Sequence, residues 1–261
     1  MNKNAASCVA PLFVPATRRE RFAKAAASGA DAVIIDLEDA VDKAEKLAAR
    51  DALRSAKGSF MVRINGSTTP WFADDVAACK AQSVALIMLP KVEKVEEIDH
   101  LYMLSNNIPI IALIESVVGL ANARAIAASG VARLAFGSLD FAADLGCAHQ
   151  PEALLFARSE LVMASRLAGI AAPLDGVTVA IDDATLLQQD SQRAASLGFG
   201  GKLCIHPKQI ETVLAAFRPS VDEIAWAQKI MLVDDDGVAN VEGTMVDAPV
   251  RLRAQRILRR L

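Results

Sequence analysis

The chain has 261 residues, 53% hydrophobic and 23% charged, with a formal net charge of −3. This balance suits one large core and argues against a nucleic-acid partner, because no basic stripe is interleaved with aromatic residues. No run reaches the roughly eighteen uncharged apolar residues of a membrane span, and the short apolar run before Pro15 is not a signal peptide, so a cytoplasmic protein without a membrane partner is expected.

From the N-terminus onward one theme repeats: a short aliphatic run, a polar turn, then a longer amphipathic stretch. The runs are Pro11–Pro15, Ala32–Leu37, Phe60–Ile64, Ala85–Leu89, Pro109–Ile114, Val131–Phe136, a weaker Gly176–Ile181, and Lys202–Ile205. Helical patterns fall between them, among them Arg19–Ser28, Ala44–Ala56, Ala73–Ala81, Val95–Leu104, Val117–Ser129, Pro151–Leu167 and Asp183–Leu197. Eight β-α units of about 25 residues each predict an α/β fold, a (β/α)8 TIM barrel, with an open doubly wound sheet as the structural alternative. Two further helical segments, Ser220–Val233 and Ala248–Leu261, exceed what a barrel needs. The expected division is therefore a barrel over residues 1–218 and a C-terminal helical extension over 219–261, serving as a lid or an oligomer surface. Cys8, Cys79, Cys147 and Cys204 are scattered and make no CxxC pair, so neither a disulfide framework nor a zinc knuckle is indicated.

The polar residues gather where these strands end. Asp36-Leu37-Glu38-Asp39 closes the second, Arg63-Ile64-Asn65 the third, Lys91 follows the fourth, Glu115 the fifth, Asp140 the sixth, and His206 the eighth. In a barrel that is the face on which active sites are built. Glu115 and Asp140 follow strands of one β-α-β unit, so chain geometry exposes both carboxylates at one mouth. Two hard oxygen donors without a nearby histidine suit magnesium or manganese rather than zinc. The alternative is that the two acids merely cap the helices that follow them. A buried Arg63 close to paired acids favours function, since such a cation is costly to bury without a purpose.

Other chemistries fit less well. A Schiff base on Lys91 needs a depressed pKa, which the adjacent Glu93 opposes. His206 precedes a helix-starting proline, where capping or packing competes with a role as base. The chain contains no G-x-S-x-G, HExxH, P-loop or GxGxxG motif, so hydrolases of the familiar nucleophile types are disfavoured. The basic end, Arg251 to Arg260, reads as a solvated helix face, with phosphate binding as the alternative.

Leu12-Phe13-Val14-Pro15, Asp36-Leu37-Glu38-Asp39-Ala40-Val41, Val62-Arg63-Ile64-Asn65, Leu89-Pro90-Lys91-Val92-Glu93, Ile114-Glu115, Gly137-Ser138-Leu139-Asp140-Phe141 and Gly200-Gly201-Lys202 with Ile205-His206-Pro207 together resemble the citrate lyase beta subunit family, within the HpcH/HpaI aldolases. The resemblance spans nearly the whole chain. It implies a magnesium-dependent barrel, commonly a homotrimer, that cleaves or forms carbon–carbon bonds in acyl-CoA thioesters such as citryl-, malyl- or citramalyl-CoA, giving acetyl-CoA and a 2-oxo acid such as oxaloacetate. By the same resemblance Glu115 and Asp140 ligate the cation, and Arg63 binds the substrate carbonyl or carboxylate with Glu38, Asp39 and Lys91 beside it. The segment Glu242–Asp247 resembles one that brings a catalytic aspartate from a neighbouring subunit, which makes Asp247 the candidate acid or base. Related hydroxy-oxo-acid aldolases carry a histidine where this chain has Asp39, a departure that favours the thioester branch. The Arg-Ser that usually precedes the first strand is Val9-Ala10 here, so the thioester and the use of CoA stay open. A metal aldolase or thioesterase, and a non-catalytic subunit binding acyl-CoA or a partner such as an acyl carrier protein, remain the other readings.

Overall fold

In the computed structural model, which describes residues 8–232, 239–241 and 244–259, eight parallel strands follow one another in sequence order around one sheet. They are β1 (Pro11–Pro15), β2 (Ala32–Asp36), β3 (Met61–Arg63), β4 (Leu86–Leu89), β5 (Ile110–Ile114), β6 (Arg133–Phe136), β7 (Ala171–Asp175) and β8 (Gly201–Lys202). A parallel bridge between Leu12 and Cys204 closes the ring, with Phe13 N donating to Cys204 O and Cys204 N to Pro11 O, each at 2.9 Å. The result is a (β/α)8 barrel.

Strands buried on both faces need apolar side chains at every position, which is why the runs read as continuous rather than alternating. One set points inward: Ile34, Met61, Leu86, Met88, Ile111, Leu113, Ala135 and Leu174 form a common core with Cys8 and Leu203. The intervening positions, such as Val33, Ile35, Ile87 and Ala112, are buried as well. Fully burying side chains of this size contributes about 1.5–3 kcal/mol each. At the opposite end from the strand-end acids, Arg133 opens β6 and donates from Nη1 to Cys8 O at 2.6 Å and from Nε to Ala172 O, tying the base of the barrel together.

The surrounding helices are α1 (Phe22–Ala26), α2 (Lys46–Ala52), α3 (Phe72–Ala81), α4 (Val95–Ser105), α5 (Val117–Ala121), α6 (Ala123–Ala128), α7 (Ser138–Leu145), α8 (Leu155–Leu167), α9 (Ala184–Leu197) and α10 (Ile210–Phe217). Val117–Ser129, expected as one helix, is two: the backbone leaves helical geometry at Asn122 (φ −97°, ψ 3°), whose side chain instead donates to Glu93 O at 2.8 Å.

The seventh strand corrects the sequence expectation. Gly176–Ile181 is β-branched but irregular, with Val179 and Ile181 largely exposed, and the strand is the preceding Ala171–Asp175. Its Pro173 removes a ladder donor, the register against β6 shifts between Arg133 and Ala135, and its terminal Asp175 is buried by pairing rather than by apolarity.

Cα packing divides the chain into two compact units, one up to Leu214 and one from Ala215. In the second, α11 (Val221–Met231) starts at a capping box in which Ser220 Oγ accepts from Glu223 N and Glu223 Oε2 accepts from Ser220 N. An antiparallel pair, β9 (Ala239–Val241) and β10 (Thr244–Val246), precedes α12 (Ala248–Leu258). Ala227, Ile230, Val246, Ala254 and Ile257 form this unit's own core, and the Arg253 guanidinium lies 4.7 Å over the Trp226 ring. Among the described residues no helix is long and apolar enough to cross a membrane.

Candidate active site

The carboxyl ends of β1, β2, β3, β5 and β6 surround a cleft of about 410 Å³ that is lined by Asp36, Asp39, Arg63, Glu115 and Asp140, with Phe13, Phe136 and Leu203 among its apolar walls. Arg63 ends β3 and is gripped by Asp36, which ends β2 in direct register with it. Its Nε and Nη2 each donate to one Asp36 carboxylate oxygen at 2.7 Å. Nη1 faces Glu38 Oε2 at 3.0 Å and Asp39 Oδ2 at 3.5 Å. The Glu38 contact is an ion pair off the line of the N–H, for Oε2 accepts no hydrogen bond. The guanidinium also stacks 5.0 Å from the Phe13 ring. Burial works against its charge, but the Asp36 bonds outweigh that and hold the Arg63 pKa above the ordinary arginine range.

Lys91 closes a second layer. Its Nζ donates to Glu38 Oε1, and to Asp39 Oδ1 at 3.3 Å. Its backbone adopts φ +54°, a left-handed conformation uncommon outside glycine, and from there its N–H donates to Glu115 Oε2 at 2.8 Å. Partial burial is outweighed by Glu38, with Asp39 and Glu115 adding to it, so the ammonium is held above its usual pKa. A Schiff-base lysine needs the opposite. Glu93, the neighbour expected to oppose that chemistry, accepts instead from Ser116 Oγ at 2.6 Å.

Glu115 follows β5 and is 4% exposed. It does not cap the next helix: Ser116 is the N-cap of α5, accepting from Gly119 N at 3.0 Å. Asp140 sits in the first turn of α7, whose N-cap Gly137 gives no side-chain cap. Burial, and after it the Glu38 charge, pushes Glu115 up to about 8, with Arg63 opposing and Asp140 adding to the rise. Gly137 is required here, because a Cβ would overlap the Glu115 Cγ and carboxylate.

These contacts show whether the residues suit a cation. Asp36, Glu38, Asp39, Glu115 and Asp140 are five carboxylates drawn together around two cations, Arg63 and Lys91. Both positive groups are engaged by the β2-end acids, and Glu115, buried beside Glu38 and Asp140, carries a penalty for ionising there. A divalent ion between two hard oxygen donors would relieve it. Among the described residues no group of three or more His, Cys, Asp or Glu has metal-site spacing, so the donors present are a pair, with room for water or substrate oxygens. Those donors fit magnesium or manganese.

The structure thus brings Glu38, Asp39, Arg63, Lys91, Glu115 and Asp140 to one end of the barrel. Asp247 belongs to the C-terminal unit, where it is the N-cap of α12 and accepts from Val250 N at 3.1 Å; Glu242 and Gly243 of its motif lie outside the described residues. His206 caps a short 3-10 turn, its Nδ1 accepting from Lys208 N at 3.2 Å. Sequence reasoning missed Asp36 as the clamp on Arg63, although both end adjacent strands. It also missed His149, whose Nε2 lies 2.9 Å from Ser138 Oγ beside the cleft.

A second groove of about 530 Å³ adjoins this cleft, sharing Phe13, Pro15 and Ile205 with it. It carries Arg18, Arg21, Lys24 and His206, with Glu20 as its one acid.

The fold and cleft define a (β/α)8-barrel protein with an acid-rich, guanidinium-braced pocket at the carboxyl ends of its strands. The family model described as HpcH/HpaI aldolase/citrate lyase matches residues 10–207, and the chain belongs to that family. It is 38% identical to a citrate lyase subunit beta-like protein of Mycobacterium tuberculosis, covering 95% of this chain and 94% of that one. It is 33% identical to a (3S)-malyl-CoA thioesterase of Cereibacter sphaeroides over 90% and 88% of the two chains. The crystal structure of CitE from M. tuberculosis in complex with magnesium, acetoacetate and coenzyme A superimposes with a TM-score of 0.89 at 37% identity, covering 98% of each chain.

Proposed function

We propose that the protein is a magnesium-dependent carbon–carbon lyase that cleaves, or in reverse forms, a 3-hydroxyacyl-CoA thioester such as citryl-, malyl- or citramalyl-CoA. The observation that carries this reading is the meeting of Glu115 and Asp140 with the clamped Arg63 in one cleft. The likeness to a CitE whose crystal contains magnesium, a keto acid and coenzyme A supports it.

Cleavage removes the proton of the 3-hydroxyl, breaks the C2–C3 bond, and leaves a 2-oxo acid and the enolate of an acyl-CoA, which takes a proton on carbon. A divalent cation held by Glu115 and Asp140 supplies Lewis-acid stabilisation of the oxygens on which charge develops. Arg63 is fixed before substrate arrives, because Asp36 holds its Nε and Nη2 in two parallel hydrogen bonds, so its charge stabilises the developing anion without reorganisation. Glu38, Asp39 and Lys91 hold that arrangement and line the substrate's path. The adjoining groove, with Arg18, Arg21 and Lys24, suits the phosphates of a CoA arm whose thioester end reaches the cleft past Phe13. Asp247 of a neighbouring subunit is the proton carrier in this account, with the C-terminal unit acting as lid and a homotrimer as the assembly. An acyl carrier protein is the alternative thioester carrier.

The second reading is thioester hydrolysis, favoured by the relative named a (3S)-malyl-CoA thioesterase. Incubation with magnesium and a panel of 3-hydroxyacyl-CoA thioesters, with products identified by mass, separates the two. A lyase yields a shorter acyl-CoA and a 2-oxo acid, whereas a thioesterase yields free CoA and the intact hydroxy acid. Unchanged thioesters across the panel would leave neither reading standing and point to a binding subunit.

A further inference from the structure

Asp140 lies in the first turn of α7, and the two residues that lead into that turn, Gly137 and Ser138, are both tightly packed. Gly137 lies directly against Glu115, where a Cβ would overlap the glutamate side chain. Ser138, 2% exposed and part of the cleft wall, is pressed on its other side by Gly176 at the end of β7, where a Cβ would overlap Ser138 Oγ. A buried hydroxyl needs a partner, and Ser138 Oγ has His149 Nε2 at 2.9 Å. His149 stands in the loop after α7, so its contact folds that loop back onto the start of the same helix. The helix starts without any side-chain cap on Gly137, whose N–H donates to Ile114 O at 2.9 Å; the Ser138–His149 contact adds a side-chain hydrogen bond to the turn that carries Asp140.

We propose that His149 is a positioning residue: through Ser138 it fixes the first turn of α7 and thereby the gap between Glu115 and Asp140 into which a divalent cation fits. This rests on the reading of those two carboxylates as the cation's ligands. Partners behind a ligand shell typically govern metal affinity by ten- to a hundredfold, because a donor free to swing loses its preorganisation. The surroundings of His149 agree. Burial, and then the charges of Arg158 and Lys202, hold its pKa below the ordinary histidine range against Asp190 and Asp175. The ring is therefore neutral at neutral pH and can exchange one well-defined hydrogen bond with Ser138. Gln at position 149 can make the same bond, and Ala cannot.

The test is Mn2+ affinity of the full-length protein, read by electron paramagnetic resonance, with thermal melting alongside. Parent protein should bind one Mn2+, and Glu115→Gln should lose it. His149→Ala and Ser138→Ala should each weaken binding by roughly ten- to a hundredfold, the double variant no further than either single one because both break one contact, and His149→Gln should stay near the parent. If His149→Ala fails to fold, Ser138→Ala removes the same contact from the other side. Parent-like affinity in His149→Ala or Ser138→Ala, or losses that add in the double variant, would overturn the inference while the Glu115 result upholds the cation site. A parent that takes up no Mn2+, or a Glu115→Gln variant that binds as well as the parent, would overturn the cation reading and the inference with it.

Discussion

Asp36 and Arg63 end neighbouring strands and meet through two parallel hydrogen bonds of 2.7 Å, so the guanidinium of the cleft is fixed by the sheet register itself. Removing the carboxylate leaves a largely buried cation with a weaker set of partners. Asp36→Ala should therefore destabilise the barrel by about 3 kcal/mol, the low end for breaking a buried pair since Glu38 and Asp39 remain, as read by urea denaturation. Activity should fall by roughly a hundredfold because Arg63 is no longer held in place. An active, fully stable Asp36→Ala enzyme would remove the clamp from the account.

Gly137 offers a sharper probe of the cation site. A methyl group there has no free space, because the Glu115 side chain occupies it. Gly137→Ala should raise the magnesium concentration needed for half-maximal activity by about tenfold or more, while saturating magnesium recovers part of the rate. Unchanged magnesium dependence would mean that Glu115 moves aside without consequence.

Glu115 itself separates a ligand from a structural acid. Burial holds its pKa up at about 8, so the protonated carboxyl is well tolerated in the fold without a cation, and Gln mimics that form. Glu115→Gln should abolish lyase activity and leave the melting temperature near the parent's. A collapse of folding in that variant would support a structural role.

Six of the eight strands were legible because each is a near-continuous aliphatic run, as in Ile110–Ile114 or Leu86–Leu89. The seventh was not: Ala171–Asp175 carries Pro173 and a charged end, and the β-branched residues that follow it line irregular backbone instead. The eighth is only two residues of ladder, and Cys204 joins through an isolated bridge. Glu115 and Asp140 were legible as acids placed just after strands. The Asp36 clamp was not singled out because Arg63 lies 27 residues away and only strand pairing brings them together. His149 gave no signal at all, since its contact with Ser138 depends on how the loop after α7 folds back.

Acid sensitivity should come from Asp175 at the end of β7. Burial raises its pKa, but Lys202 and Arg158 outweigh it and leave the carboxyl below its ordinary range, with Arg158 Nε donating at 2.9 Å. A carboxylate whose folded pKa lies below its unfolded value, about 3.9, binds more protons when unfolded, so stability rises with pH through that interval. The Asp175 contribution is complete above the unfolded value and is lost as pH falls through the folded one. The Asp175 contribution to the urea midpoint, read as the difference between the parent and Asp175→Asn, should therefore hold from neutral pH to about 5 and drop steeply below about 4. Asp175→Asn should be less stable at neutral pH and show a shallower acid limb. An identical acid limb in the variant would assign the loss to other groups.

Whether Asp247 acts across subunits can be read by complementation. Arg63→Ala and Asp247→Asn should each be inactive alone, and equal co-expression should restore activity, because in a cyclic assembly about one site in four draws both intact residues from different chains. A mixed oligomer confirmed by mass yet inactive would leave Asp247 with its cap on α12 alone.

The most direct measurement is a crystal structure of the protein grown with magnesium and a 2-oxo acid. One cation is expected in the cleft, with Glu115 and Asp140 as its only side-chain ligands, water or the oxo acid on its remaining positions, and the oxo acid within reach of Arg63. An empty gap between the two carboxylates at saturating magnesium, or a cation bound elsewhere in the barrel, would contradict that expectation.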